Sequence, residues 1–153
     1  MATLLDTGIL LRLLNENDPA HSAVEQALDT LIARQEDLLI TTQNIAELWN
    51  VATRPTVNNG LALPTAAIAK LYEETIEPVC KVLAETDSLP EELKRLLIKY
   101  GAIGKQVHDA RLVAMMLVWQ IENVLTLNDR DFRRYEPEGI AILTPAALTN
   151  SGP

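Results

Sequence analysis

Five short apolar runs, set apart by stretches of helix length, constrain the fold of this chain more than any other feature. They are Thr3–Leu5, Leu38–Thr41, Val79–Leu83, Asn123–Leu127 and Ile140–Leu143. Runs that are continuously apolar, rather than alternating with polar residues, suit strands buried on both faces. The intervening stretches carry helical patterning and helix-start signals. A first helix is predicted through Leu14, and a second from Asp18-Pro19 to about Arg34. Thr42 is read as the cap of a third over Gln43–Val51, Pro64-Thr65 opens a fourth reaching about Glu77, and Ser88 caps a fifth over Pro90–Lys99. A long helix follows from about Lys105 to Ile121. This alternation predicts an α/β fold: a three-layer α/β/α sandwich with a mostly parallel sheet of about five strands. One domain over residues 1–145 is expected, with 146–153 as a frayed tail.

The few cysteines and histidines narrow the chemistry. One cysteine, Cys80, rules out an intramolecular disulfide and a Cys-based zinc site, and two histidines, His21 and His108, rule out a His-rich one. A bound metal would need oxygen ligands, which select Mg²⁺ or Mn²⁺. The net charge of −8, with a pI near 4.7, opposes docking onto a phosphate backbone unless a local basic rim compensates. The N-terminal apolar stretch is interrupted by Asp6 and Arg12, so neither a signal peptide nor a membrane span is read, and a cytoplasmic location is expected.

In a parallel α/β sheet the functional crevice lies at the carboxyl ends of the strands. Asp6 follows the first predicted strand and Asn128-Asp129 the fourth. Glu47 falls early in the helix after the second strand, and Asp109 early in the long helix before the fourth. Glu47 interrupts Ile45-Ala46-Leu48-Trp49, and Asp109 interrupts Val107-Ala110-Leu112-Val113. Carboxylates in such surroundings are costly unless paired or bound to a cation. A divalent ion would relieve the mutual repulsion of several such groups and could polarise a phosphodiester.

Taken in order, Leu4-Leu5-Asp6-Thr7, Asn44-Ile45-Ala46-Glu47-Leu48, His108-Asp109-Ala110 and Leu125-Thr126-Leu127-Asn128 with Asp131-Phe132 resemble the PIN-domain ribonucleases, and within them the VapC-type toxins of toxin–antitoxin pairs. The resemblance runs from Thr3 to Thr144. It implies a metal-dependent endoribonuclease in which Asp6, Glu47 and Asp109 are the central acidic positions, with Asn128 assisting in holding one Mg²⁺ or Mn²⁺. It gives Thr7 and Thr126 the task of orienting water or a carboxylate. It also implies an RNA substrate, a homodimer and a cognate antitoxin, with the helices around Leu10–Leu14 and Leu61–Tyr72 as contact faces. Asn128 departs from the Asp that many relatives carry and weakens a second metal site; Asp129 is read as peripheral. A catalytically impaired PIN-like binding or assembly module is the alternative.

Plainer roles compete at each position. Asp6 and Asp109 could cap helices, and Glu47 could pair with Arg12 or Arg54. Asp131 is read as a cap or brace and Phe132 as core. Arg130, Arg133 and Arg134, with Arg12, Arg54, Lys105 and Arg111, form either a solvated face or phosphate contacts. Trp49 and Trp119 are read as packing residues, and Cys80 as a buried small hydrophobe.

Overall fold

The structure, a computed structural model, describes residues 1–150. Its strands are β1 (Ala2–Leu5), β2 (Asp37–Thr41), β3 (Cys80–Leu83), β4 (Asn123–Leu125) and β5 (Ala141–Leu143). They form one sheet in the order β3-β2-β1-β4-β5, and every pairing is parallel. The central register sets Leu4 opposite both Leu39 and Val124, and Leu5 opposite Leu125. The helices are α1 (Thr7–Leu14), α2 (His21–Ala33), α3 (Thr42–Thr53), α4 (Thr65–Leu71), α5 (Leu89–Lys99), α6 (Gln106–Val118), α7 (Asp129–Phe132) and α8 (Pro145–Asn150).

The pleat explains why there are two cores. Successive strand residues face opposite sides, so Leu5, Leu38, Ile40 and Leu125 join one buried cluster with α1, α2, α3 and α8, while Leu4, Leu39 and Val124 join a second with α5, α6 and α7. The sheet is thereby covered on both faces, as the continuous apolar runs require, and the expected α/β/α sandwich is the observed fold.

Several local expectations shift. The cap of α3 is Thr41 rather than Thr42. Its hydroxyl accepts from the Asn44 N–H at 3.3 Å, while Asn44 Oδ1 accepts from the Thr41 N–H at 2.8 Å, a reciprocal box. Ser88 makes no cap bond to α5, and its hydroxyl pairs with that of Thr86 instead. The helix from Thr65 loosens after Leu71 into a wider turn over Tyr72–Ile76, closed by the Glu77 N–H on the Tyr72 carbonyl. Residues 146–150, expected to fray, belong to α8: Pro145 suits a first helical position, and Leu148 is buried. Residues 151–153 of that expected tail lie outside the described residues.

The loop after α3 turns back on that helix, with the N–H groups of Leu61, Ala62 and Leu63 donating to the carbonyls of Val51, Arg54 and Ala52. A Cβ on Gly60 would overlap the Arg54 backbone carbonyl, so the turn tolerates no side chain there. Replacement Gly60→Ala is expected to destabilise the protein by at least about 2 kcal/mol, read as a lower urea midpoint at unchanged slope. An unchanged midpoint would show that the loop does not pack so closely.

Candidate active site

The strand order reverses at β1: β2 lies on one side and β4 on the other. Such a switch point opens a crevice at the carboxyl edge of a parallel sheet. Asp6 emerges there from β1, with its N–H bonded to the Leu125 carbonyl of β4 at 3.0 Å. Glu47 descends from β2 through the second turn of α3, and Asp109 lies in the first turn of α6, whose amino end is at the same edge. Asn128 and Asp131 follow β4, the latter on α7. All five line one cavity of about 370 Å³, together with Thr7 and Arg12. It adjoins a second of about 420 Å³, bordered by Glu47, Asp109 and Asp131 and by Lys105 and His108. Larger depressions at α2–α8 and along α5 gather no comparable acidic set.

Asp6 and Glu47 are held by neutral donors. Thr126 is fully buried; its hydroxyl donates to Asp6 Oδ2 at 2.7 Å and accepts from the Asn128 N–H at 2.9 Å. The Thr7 N–H donates to Asp6 Oδ1 at 2.9 Å, so Asp6 also caps α1. The Thr7 hydroxyl is turned to Asn44, accepting from its Nδ2 at 3.0 Å. Asn44 thereby links the cap of α3 to the start of α1. Gln43 Nε2 donates to Glu47 Oε1 at 2.6 Å. Among the described residues Glu47 forms no ion pair with Arg12 or Arg54. Arg12 contacts Asp18 at 3.7 Å and the Gly8 carbonyl at 3.4 Å.

Burial pushes the half-buried Asp109 carboxyl up to about 7, and the negative charges of Asp131, Asp6 and Glu47 add to the rise while Arg134 opposes it. Burial also raises Asp6, against the hydrogen bonds from Thr126 and Thr7, with Glu47 and Asp131 adding to the rise. The four carboxylates therefore feel one another. They are not drawn together into a cage, however: among the described residues, no group of three or more His, Cys, Asp or Glu is arranged to hold a metal ion.

Three residues of the site carry more than their sequence patterns suggested. Asp131, read as a cap or brace, lines the cavity as a fourth carboxylate; its place three residues after Asn128, on the short helix that Asn128 precedes, was the available signal. Asp129 is the peripheral one, pairing with Arg133. Gln43 and Asn44 are neutral amides whose contacts only the fold reveals. In the basic run, Arg133 is paired with Asp129, and Arg111 with Glu85. Arg12, Lys105 and Arg134 are the cations beside the cavities. His108 is exposed, Trp49 packs against the first core, and Cys80 is half-buried, its thiol pushed up to about 12 by burial. No described helix is long and apolar enough to cross a membrane.

The sequence profile of the PIN domain matches residues 3–137. None of the proteins of curated function matches the chain. Solved structures similar in fold include VapBC2 from Rickettsia felis bound to a DNA fragment from their promoter, at 14% identity and a TM-score of 0.69 over 94% of this chain and 98% of that one. VapC20 of Mycobacterium tuberculosis, a sarcin–ricin loop cleaving toxin, aligns at 19% and 0.62 over 91% and 96%. FitAcB from Neisseria gonorrhoeae aligns at 20% and 0.62 over 94% and 98%.

Carboxyls that hold protons more tightly folded than unfolded stabilise the metal-free protein at low pH, and that stability is lost as pH rises from near 4 through about 7. Asp109→Asn should therefore stabilise the metal-free protein by about 1–2 kcal/mol at pH 8, discounted from ~1.4 kcal/mol per pKa unit for solvent access, and by little at pH 4. Equal melting curves at both pH values would sink this account.

Proposed function

The chain is a member of the PIN domain family, and from that membership we propose that it is a divalent-metal-dependent endoribonuclease of the VapC type, the toxin of a toxin–antitoxin pair acting in the cytoplasm. One observation carries the reading: Asp6, Glu47, Asp109 and Asp131, drawn from four separate parts of the chain, line a single cavity with Asn128 at the switch point of the sheet. The similarity in fold to VapC20, a toxin that cleaves, and to VapBC2, FitAcB and VapBC-1 of nontypeable Haemophilus influenzae supports the toxin class and an antitoxin partner.

The donor set fits a hard cation. It is all oxygen, it carries up to four negative charges, and Asp109, raised by burial and then by its acidic neighbours, is a carboxylate whose charged form a divalent ion would stabilise. Asp6, Glu47 and Asp109, with Asn128 assisting, would hold Mg²⁺ or Mn²⁺, with Asp131 lining the same cavity. When bound, the ion would neutralise charge on a scissile phosphate and make an attacking water more acidic. The remaining work belongs to the chain. Thr126 and the Thr7 N–H hold Asp6 in a fixed orientation without adding positive charge. Arg12 and Lys105 sit where the adjoining cavities could receive the phosphates flanking a cleaved bond, as a local exception to the acidic whole. A homodimer belongs to the same reading, although Leu10 and Leu14, expected at a contact face, are buried in the first core, and Leu61 and Leu63 lie in the loop before α4.

Asn128 in place of a further carboxylate, with the net charge of −8, fits a second reading, a PIN-like binding module without catalysis. Incubating purified protein with structured RNA, with Mg²⁺ or Mn²⁺ and then with chelator, separates the two. Metal-dependent internal cleavage is expected. Asp6→Asn should abolish it, by at least about a hundredfold, while leaving the melting temperature unchanged or higher, because the change relieves carboxylate repulsion. Full activity in that variant would overturn the assignment.

A further inference from the structure

We infer that Gln43 is a positioning residue of this centre: its side-chain amide ties the Glu47 carboxylate of α3 to the first turn of α6 and so sets Glu47 relative to Asp109. The inference rests on the metal-dependent nuclease reading and adds to it a residue outside the acidic set. Gln43 is only 6% exposed, on the second position of α3. Its Nε2 donates both of its hydrogens, to Glu47 Oε1 at 2.6 Å and to the His108 carbonyl at 2.9 Å. The first contact is one helical turn away, and the second is 65 residues distant in sequence and directly precedes Asp109. One planar group therefore bridges two helices at the point where each delivers a carboxylate to the cavity.

Chemistry fixes the direction of that amide. Turned over, its oxygen would face a carboxylate oxygen and a carbonyl oxygen, two acceptors that repel it. As placed, Gln43 Oε1 is buried with no hydrogen-bond partner among the described residues. A buried carbonyl left without a partner is unfavourable, so the arrangement persists because the two donated bonds outweigh it. The residue type also matters. A lysine or arginine here would neutralise Glu47 and compete with a cation, and a glutamate would add another negative charge. A neutral double donor alone orients Glu47 while leaving its charge available. Groups that orient a metal ligand through a hydrogen bond typically contribute about 10- to 100-fold to metal affinity.

The test is Mn²⁺ binding to the full chain by titration calorimetry for wild type, Gln43→Met, Glu47→Gln and the double variant, with metal-free melting curves alongside. Gln43→Met keeps the volume and should weaken Mn²⁺ binding about tenfold or more, with a melting temperature close to wild type. In the Glu47→Gln background the same change should add less than about twofold, because the amide acts through Glu47. Equal Mn²⁺ affinity in Gln43→Met, or a full additive loss in the double variant, overturns the inference while wild-type binding and cleavage leave the nuclease reading standing. A wild-type protein that neither binds Mn²⁺ nor cleaves RNA overturns that reading, and the inference with it. If methionine is not accommodated, Gln43→Ser, which leaves room for water at the His108 carbonyl, takes its place; failure of both to fold while Glu47→Gln folds would assign the amide to stability alone.

Discussion

The crowding of partly buried carboxylates at one sheet edge is the constraint around which the rest of this molecule is organised. Four acidic side chains line one small cavity, and burial first, then their charges on one another, raises the Asp6 and Asp109 carboxyls. The simplest structural remedy would be to neutralise them with arginine or lysine. The fold instead uses a threonine hydroxyl and a backbone N–H on Asp6 and the Gln43 amide on Glu47, which direct those oxygens while leaving their charge intact. Ion pairs are placed elsewhere. Glu138, for example, is gripped by Arg95, Lys99 and Tyr100 and is held down to about 2, chiefly by the hydrogen bond from Arg95. Charge is compensated where it is structural and left uncompensated at the crevice, which is the distribution a cation-dependent centre requires.

What supports such an unfavourable group is the two-sided core. Leu4 and Leu5 are both completely buried, each in a different cluster, so the strand that delivers Asp6 is clamped from above and below. At roughly 25 cal/mol per Å² of apolar surface removed from water, two such clusters easily exceed the few kcal/mol that a set of like charges opposes. The site is thus a local loss carried by a global gain, a common arrangement where function and stability conflict.

Much of this was legible in the residues alone, and the exceptions have physical reasons. Each apolar run marked a strand because burial on both faces leaves no polar position to break it, and the carboxyl ends of those strands pointed to Asp6, Glu47, Asp109 and Asn128, while Thr126 came from the family resemblance. Asp131 was harder to read because an acidic residue early in a helix is ordinary there on electrostatic grounds alone. Gln43 left no signal, since a neutral amide is recognisable as a bridge only when both of its partners are known, and its own lie 4 and 65 residues away; Asn44 stood in the motif, but not its bonds to Thr41 and Thr7. The cap at Thr41 was displaced by one residue because two consecutive threonines offer equivalent hydroxyls, and only the Asn44 side chain decides between them. The helix at Pro145–Asn150 was missed because so short a segment forms through the burial of Leu148 rather than through its own propensity.

The pairing of β1 with β4 has a temporal side. The second residue of the chain begins a strand whose neighbour starts only at residue 123, and the hydroxyl that orients Asp6 comes from residue 126. Contacts that close so long a loop form late, because chain entropy must be lost before the contact repays it. A polypeptide still emerging from the ribosome therefore holds Asp6, Glu47 and even Asp109 without the strand that brings them into register. The centre comes into being only once the strand at residues 123–125 has folded back onto the first, so an acidic crevice is not assembled piecemeal as each carboxylate is made.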